Sequence, residues 1–331
     1  MLARGKAVVK SLLYFVLYYT GIEFLLTRTV SVNAAAVLMY HGVTDSSFMP
    51  PHIDFHIPVG IFRRHLRFLR RRYQVVPLSR LLEKLASGER LNKEIVLTFD
   101  DGYRNNYLHA APLLRQYGMS AAAFLTTDYI GTSQWLPLND LYMLWAAGEF
   151  SNPEVQAKRE RIRLSPMEET SDLVAEVRAR SARLNRAPAA DSFDMMSWDE
   201  VRQLAADGME IGSHSCSHIS TSAENEDVQR RELQVSRQSI EAQLGMPCRL
   251  FAYPYGRPPY IDHKSARLVR ECGYSCAVTT EYGLVSPSTD PFRIPRAGYG
   301  RRQLFFFAGE LLYLFLRRRL GRPGSPTISH G

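Results

Sequence analysis

Residues 94–103 read EIVLTFDDGY. After Glu94 come five apolar or β-branched residues, a run of strand length. The run ends on two adjacent carboxylates, Asp100 and Asp101, and then on Gly102, which lets the chain turn sharply behind them. Like charges this close raise one pKa unless a cation intervenes. A divalent metal bound by one carboxylate would relieve the repulsion and leave the other free as a general base. Taken alone, an Asp-Asp-Gly turn is more often a loop than a site.

Outward from this stretch the same alternation recurs. Ala35–Tyr40 (AAVLMY), Ser120–Leu125, Met209–Gly212, Leu250–Tyr253, Cys276–Thr279 and Phe292–Ile294 read as further strands. Helical spacing marks Phe62–Leu69, Leu78–Leu85, Ala110–Tyr117, Val201–Ala206, Glu224–Leu244 and Ala266–Cys272. Ser197 with Glu200 forms a capping box that opens one of these helices. Repeated strand–helix–strand order predicts an α/β fold with parallel strands inside and helices outside. Functional groups in such folds gather at the C-terminal ends of strands, where His41, Asp100, Asp101, His214 and Tyr255 all stand. Between about 133 and 196 the pattern changes to charged helices (Val155–Arg163, Ser171–Leu184) and an Ala/Pro loop, read as an insertion beside the strand ends or as a solvated decoration.

The second motif is His214-Ser215-Cys216-Ser217-His218. Histidines at i and i+4 share one face of a helical turn, so their imidazoles can converge on one ion; exposed turn histidines are the plain alternative. Cys216 lies between them and should point away. Together the two motifs offer an Asp-His-His set with open positions for water and substrate, as a catalytic metal site needs, beside a spare carboxylate.

TFDDGY and HSCSH, in that order, resemble the first two motifs of the polysaccharide deacetylase family, also called the chitooligosaccharide deacetylase-homology group or carbohydrate esterase family 4, and FAYPYG (251–256) resembles the third. The likeness spans about 35–300. It implies a distorted (β/α) barrel and N-deacetylation of an amino-sugar glycan. It implies Asp100 as catalytic base and Asp101, His214 and His218 as ligands of a divalent metal, zinc first, with cobalt, nickel or manganese suited to the same donors. The Tyr255 backbone N–H would stabilise the oxyanion. Many family members have an arginine two residues before the Pro-Tyr pair, where this chain has Ala252; Arg296 is the expected substitute, an ordinary ion-pair residue being the alternative. The family's Leu-x-His motif, which carries the general acid, does not follow Tyr255. His263 sits in a polar segment, and His41 is the candidate acid, a structural or substrate-contacting histidine being the alternative.

Composition limits the remaining choices. The chain has 331 residues, 45% hydrophobic and 22% charged, ordinary for a folded domain and unlike a disordered chain. A net charge of +8 comes partly from Arg70–Arg72 and Arg317–Arg319. No nucleic-acid-recognition motif accompanies it, so nucleic acid is not an expected partner and an anionic membrane surface fits better. Cys216, Cys248, Cys272 and Cys276 form no CxxC and read as free thiols. Residues 1–34 form an apolar segment with basic flanks, and 301–331 form a second one, Gln303–Leu316 being a membrane-associating or a core-packing helix, ending in a Gly/Pro/Ser tail expected to be disordered. The run Ser11–Leu26 is short of the about 20 apolar residues a span needs and contains Glu23. An interfacial or single-anchor helix is favoured over a cleaved signal, and membrane association is expected, its sidedness open. A glycan or a lipid-linked sugar is the expected substrate, with deacylation or deformylation of the latter, or non-catalytic carbohydrate binding in an export assembly, as alternatives.

Overall fold

The computed structural model describes residues 2–46, 55–298 and 303–320. Seven strands close a parallel barrel in sequence order: β1 (Ala36–Tyr40), β2 (Ile95–Phe99), β3 (Ala122–Leu125), β4 (Glu210–Ser213), β5 (Leu250–Ala252), β6 (Cys276–Tyr282) and β7 (Ile294–Gly298). Closure comes from β7 pairing with β1 at Leu38–Ala297 and Met39–Gly298. All five residues of β2 are buried, as expected for a parallel strand covered on both faces. Alternation sends Val37, Val96, Phe124, Ala252, Val278 and Ile294 into the barrel interior. The intervening residues, such as Leu38, Leu97 and Phe251, pack outward against the helices.

The helices are α1 (Leu2–Tyr19), α2 (Ile22–Thr29), α3 (Val59–Arg72), α4 (Leu78–Ser87), α5 (Ala111–Tyr117), α6 (Pro137–Ala146), α7 (Asn152–Leu164), α8 (Met167–Ser181), α9 (Ala190–Phe193), α10 (Trp198–Ala206), α11 (Glu226–Leu244), α12 (His263–Glu271) and α13 (Leu304–Arg319). The capping box forms at α10: Glu200 N–H donates to Ser197 Oγ at 3.2 Å and Ser197 N–H to Glu200 Oε2 at 2.9 Å. The insertion is a three-helix unit of α6, α7 and α8 with its own core of Leu141, Leu144, Phe150, Val155, Leu173 and Val177. Its Ala/Pro end is a short 3-10 turn followed by α9 rather than an open loop.

Three expectations shift. His263 opens α12, capped by Asp262, instead of lying in a loop. The last strand is Ile294–Gly298, not Phe292–Ile294, because Asp290 turns the chain first: its carboxylate accepts from Phe292 N–H and its carbonyl from Arg293 N–H. The C-terminal apolar helix α13 is largely core. Phe307, Ala308, Leu311, Leu312 and Phe315 are buried, and Phe307 stacks on His65 of α3 at 3.9 Å. The four cysteines are buried and unpaired. The domain limit at Gly300 and the tail 321–331 lie outside the described residues.

No single helix among the described residues is long and apolar enough to cross a membrane; Val9–Tyr19 and Ile22–Thr29 reach that length and composition only as a pair bent by 85°. Since Leu311 is fully buried, Leu311→Ala should lower unfolding stability by about 2–5 kcal/mol in a urea titration. A loss below about 0.5 kcal/mol would mean that α13 is not part of the folded core.

Candidate active site

Asp100 and Asp101 follow directly from β2, yet the backbone sends them different ways. Asp100 keeps strand geometry, its N–H donating to Tyr40 O at 3.0 Å. Asp101 adopts φ 77° and Gly102 φ 93°, a left-handed pair that turns the chain across the barrel mouth. Any Cβ at Gly102 would meet Ile130 Cδ1 at 2.7 Å, so only glycine fits. A non-glycine residue at positive φ is strained and is held in place by its surroundings; here the Asp101 carbonyl accepts from Thr126 N–H at 3.2 Å.

His214 leaves β4 with its N–H donating to Leu125 O at 2.8 Å. The expected helical turn through His218 is absent. The segment is irregular, with Ser215 at φ 66° and His218 at φ 63°, and it lies along the loop after β3 through Thr127 N–H to Ser215 O and Asp128 N–H to Cys216 O. Convergence of the two imidazoles arises from this folded-back loop, not from helical periodicity. A residue the motifs gave no hint of fixes the loop. Glu232 of α11 accepts from Cys216 N–H (2.9 Å), Ser217 N–H (3.0 Å) and Ser217 Oγ (2.9 Å). Its polar character on an otherwise inward helix position was the available signal. Cys216 is buried beside Glu232 O, and burial pushes its thiol up to about 12, consistent with its exclusion as a ligand.

Three donor atoms of Asp101, His214 and His218 lie within 4.8 Å of one another. His214 Nε2 and His218 Nε2 approach Asp101 Oδ1 at 3.4 and 3.2 Å, and that oxygen is buried without a hydrogen bond. His214 Nδ1 sits 2.7 Å from Ala252 O. A carbonyl can only accept, so Nδ1 carries the proton and Nε2 presents its lone pair to the cluster, the orientation a metal-ligating histidine needs. The cluster therefore fits a divalent cation: one orphaned carboxylate oxygen and two imidazole nitrogens at a buried point. Burial by itself would raise the Asp101 carboxyl, but His214 and His218 beside it hold it well below the usual carboxylate range.

Arg296 reaches Asp100 from β7, on the far side of β1. Its Nη1 and Nη2 donate to Asp100 Oδ1 and Oδ2 at 2.7 and 2.6 Å, its Nε to Thr279 O at 2.8 Å, and Nη1 also to Thr98 Oγ1 at 3.0 Å. Both partners are 1% exposed. Burial raises the Asp100 carboxyl, and Arg296 followed by His214 more than offsets this, leaving it ionised. The small side chain at Ala252 in β5 leaves the interior space that this long side chain crosses.

These groups share a cavity of about 900 Å³ with His41, Tyr255, Phe55, Tyr142 and several residues of the insertion. His41 lines it from the end of β1, its ring 5.5 Å from Phe55. Tyr255 has φ 60°, and its ring packs edge-on against His218 at 4.8 Å. All seven residues singled out in the sequence thus come to one chamber. The insertion residues that roof it, among them Arg159, Arg163 and Arg178, were not singled out. A charged, helically spaced stretch gives no sign of which face meets the barrel.

The family profile described as Polysaccharide deacetylase matches residues 87–277. The curated protein YxkH of Bacillus subtilis (strain 168), a candidate polysaccharide deacetylase, is 21% identical over 262 residues, 78% of this chain and 69% of its own length. Among solved structures, the deacetylase PplD of Streptococcus pyogenes in complex with acetate superposes with a TM-score of 0.59 at 18% identity, over 85% of this chain and 98% of that one. IcaB from Ammonifex degensii gives 0.57 at 18% identity, over 86% and 98%. At these identities the superpositions establish the shared fold. With more than half its length matched by the profile on that barrel, the chain belongs to the polysaccharide deacetylase family.

Proposed function

We propose that this chain is a metal-dependent hydrolase that removes N-acetyl groups from an amino-sugar glycan. The observation that carries the reading is the division of labour between adjacent carboxylates. Asp101 converges with two imidazoles, while Asp100 is oriented by Arg296 and faces the same chamber. A purely binding site has no use for the second, ionised acid. PplD, a deacetylase solved with acetate, gives the reading a precedent on this fold.

Asp101, His214 and His218 would hold a divalent metal, zinc first, with cobalt, nickel or manganese suited to the same donors. Bound there, the metal supplies Lewis acidity toward the acetamide carbonyl and lowers the pKa of water. Asp100 accepts the proton of the attacking water through a carboxylate that Arg296 keeps ionised and fixed in direction. The Tyr255 backbone N–H, to which no described residue offers an acceptor, donates to the developing oxyanion. His41 delivers a proton to the leaving amine, and acetate departs.

We further propose that the enzyme works at an anionic membrane surface. Val9, Leu12, Leu13, Val16 and Tyr19 form an exposed stripe along α1, continued by Ile22 and Leu25 of α2. Next to it, α3 turns Arg63, Arg64, Arg67, Arg70 and Arg71 to solvent. An apolar stripe beside a row of cations matches an interfacial helix on acidic lipid. A membrane position would also suit a lipid-linked sugar as substrate.

Asp100→Asn should cut acetate release from an N-acetylglucosamine oligomer by about 10²–10⁴-fold while metal content, read by elemental analysis, stays intact. Asp101→Asn should lose the metal as well. Equal metal loss in both would contradict the roles assigned here. Arg296→Met leaves Asp100 as an unpaired buried charge and should cost about 3–5 kcal/mol of unfolding stability, with part recovered in the Asp100→Asn/Arg296→Met double variant. Co-sedimentation with phosphatidylglycerol vesicles should fall sharply for Leu13→Glu/Val16→Glu; unchanged sedimentation would remove the membrane proposal.

A further inference from the structure

The chamber has a roof whose electrostatics a neutral glycan does not require. Arg159 and Arg163 of α7, Arg178 of α8 and Arg257, in the turn after β5, all line it. The Nε atoms of Arg159, Arg163 and Arg178 are buried without hydrogen-bond partners. Unmet buried donors on a charged group are costly unless a ligand or water meets them. Neighbouring acids do not meet this need. Glu160 stands 3.7 Å from Arg159 and 3.6 Å from Arg163, too far to hydrogen-bond, and is itself 44% exposed. Asp140 is 4.0 Å from Arg178. The other acids in the chamber face partners of their own: Asp100 has Arg296, Asp101 has His214 and His218 at 3.4 and 3.2 Å, Glu281 has Arg293 at 2.8 Å, and Glu224 accepts from Met167 N–H at 2.6 Å.

Arg163 also fixes where such a charge would lie. Its guanidinium stacks over Tyr255 at 4.6 Å and Tyr260 at 4.5 Å, and Tyr255 in turn meets His218 at 4.8 Å. The cation therefore stands two ring contacts from the metal-ligand cluster, on the same wall as the oxyanion donor. Stacking holds the planar group and leaves its edge free to donate.

We infer that Arg159, Arg163 and Arg257 form an anion subsite in the chamber, so that the preferred substrate is an N-acetylated sugar carrying a phosphate or carboxylate near the acetamide. The inference rests on the deacetylase reading for its substrate and deepens it. Guanidinium forks match both anions bidentately, which neutral hydroxyls cannot exploit.

The test measures binding by calorimetry on the full-length Asp100→Asn protein, with N-acetylglucosamine, its 1-phosphate and its 6-carboxylate as probes. At least one anionic probe should bind about tenfold or more tightly than the neutral sugar, with the advantage shrinking as salt rises. Whichever anion gains more names the source: a phosphate-linked sugar or an acidic polysaccharide. Arg159→Gln/Arg163→Gln should abolish the advantage, Arg163→Lys should retain part of it, and Arg257→Gln, in a turn remote from the insertion core, should reduce it. Equal affinity for neutral and anionic probes, or an advantage unchanged by every arginine variant, overturns the subsite. Acetate release by the wild-type protein is scored separately. Its absence with every metal would sink the hydrolase reading while a surviving anion preference would leave the subsite standing.

Discussion

The bidentate pairing of Arg296 with Asp100 governs the centre of this molecule. It ties β7 to the end of β2, the two strands that flank β1, with the guanidinium 5.9 Å from the Phe124 ring. Placing two charges there is expensive, and their attraction repays the desolvation only when the remaining polar atoms are satisfied. They are: Thr98 Oγ1 and Thr279 O take the remaining guanidinium contacts, and the Thr98 hydroxyl in turn donates to Leu38 O at 2.9 Å. A packed apolar pair would do as well for stability. What the ion pair adds is direction. Arg296 fixes Asp100 while His214 and His218 face Asp101, so the two adjacent carboxylates of the DDG turn are held by different partners.

Much of this arrangement was legible in the chain, and for a physical reason. Parallel barrel strands are buried on both faces, so they appear as unbroken apolar runs, and the groups following them share one end of the barrel. That located His41, Asp100, Asp101, His214 and Tyr255. The histidine pair was reached by a wrong route. A spacing of four matches a helical turn, but Ser215 and His218 take left-handed backbone values, a choice dictated by Glu232 and the loop after β3. Neither lies near HSCSH in sequence. Arg296 was nominated because the family's arginine position holds Ala252, and the strand carrying it was placed a few residues too early because Asp290-Pro291 and Pro295 obscure the β pattern.

The insertion illustrates a limit of a different kind. Its helices show a low contrast between faces because they have two jobs, a private core of six apolar residues and a roof over the chamber. Charge at the roof is read from sequence as solvated surface. Only the fold shows that Ile162, Arg163 and Met167 look inward while Glu168 and Glu169 look out. Arginines of the insertion and acids of the barrel thus line one chamber, which neither the barrel nor the insertion forms alone.

The terminal helices raise the question of which apolar surface is available to lipid. Each helix pair carries a buried glutamate. Glu23 accepts from Thr27 Oγ1 at 2.8 Å and lies 3.7 Å from Arg72 of α3. Glu310 of α13 pairs with Lys10 and accepts from Tyr14 of α1 and, at 2.9 Å, from Tyr282 at the chamber wall. A carboxylate facing hydrocarbon would be costly, so these faces are committed to protein contact, and the cations answering them come from the chain itself. The commitment leaves one side of α1 and α2 unpartnered, the side bearing Leu12, Leu13, Val16 and Leu25. Apolar content alone would have assigned both ends to the membrane. The buried acids divide that content: α13 goes to the core, and one exposed apolar stripe of α1 and α2 is left over, the stripe proposed above to meet lipid.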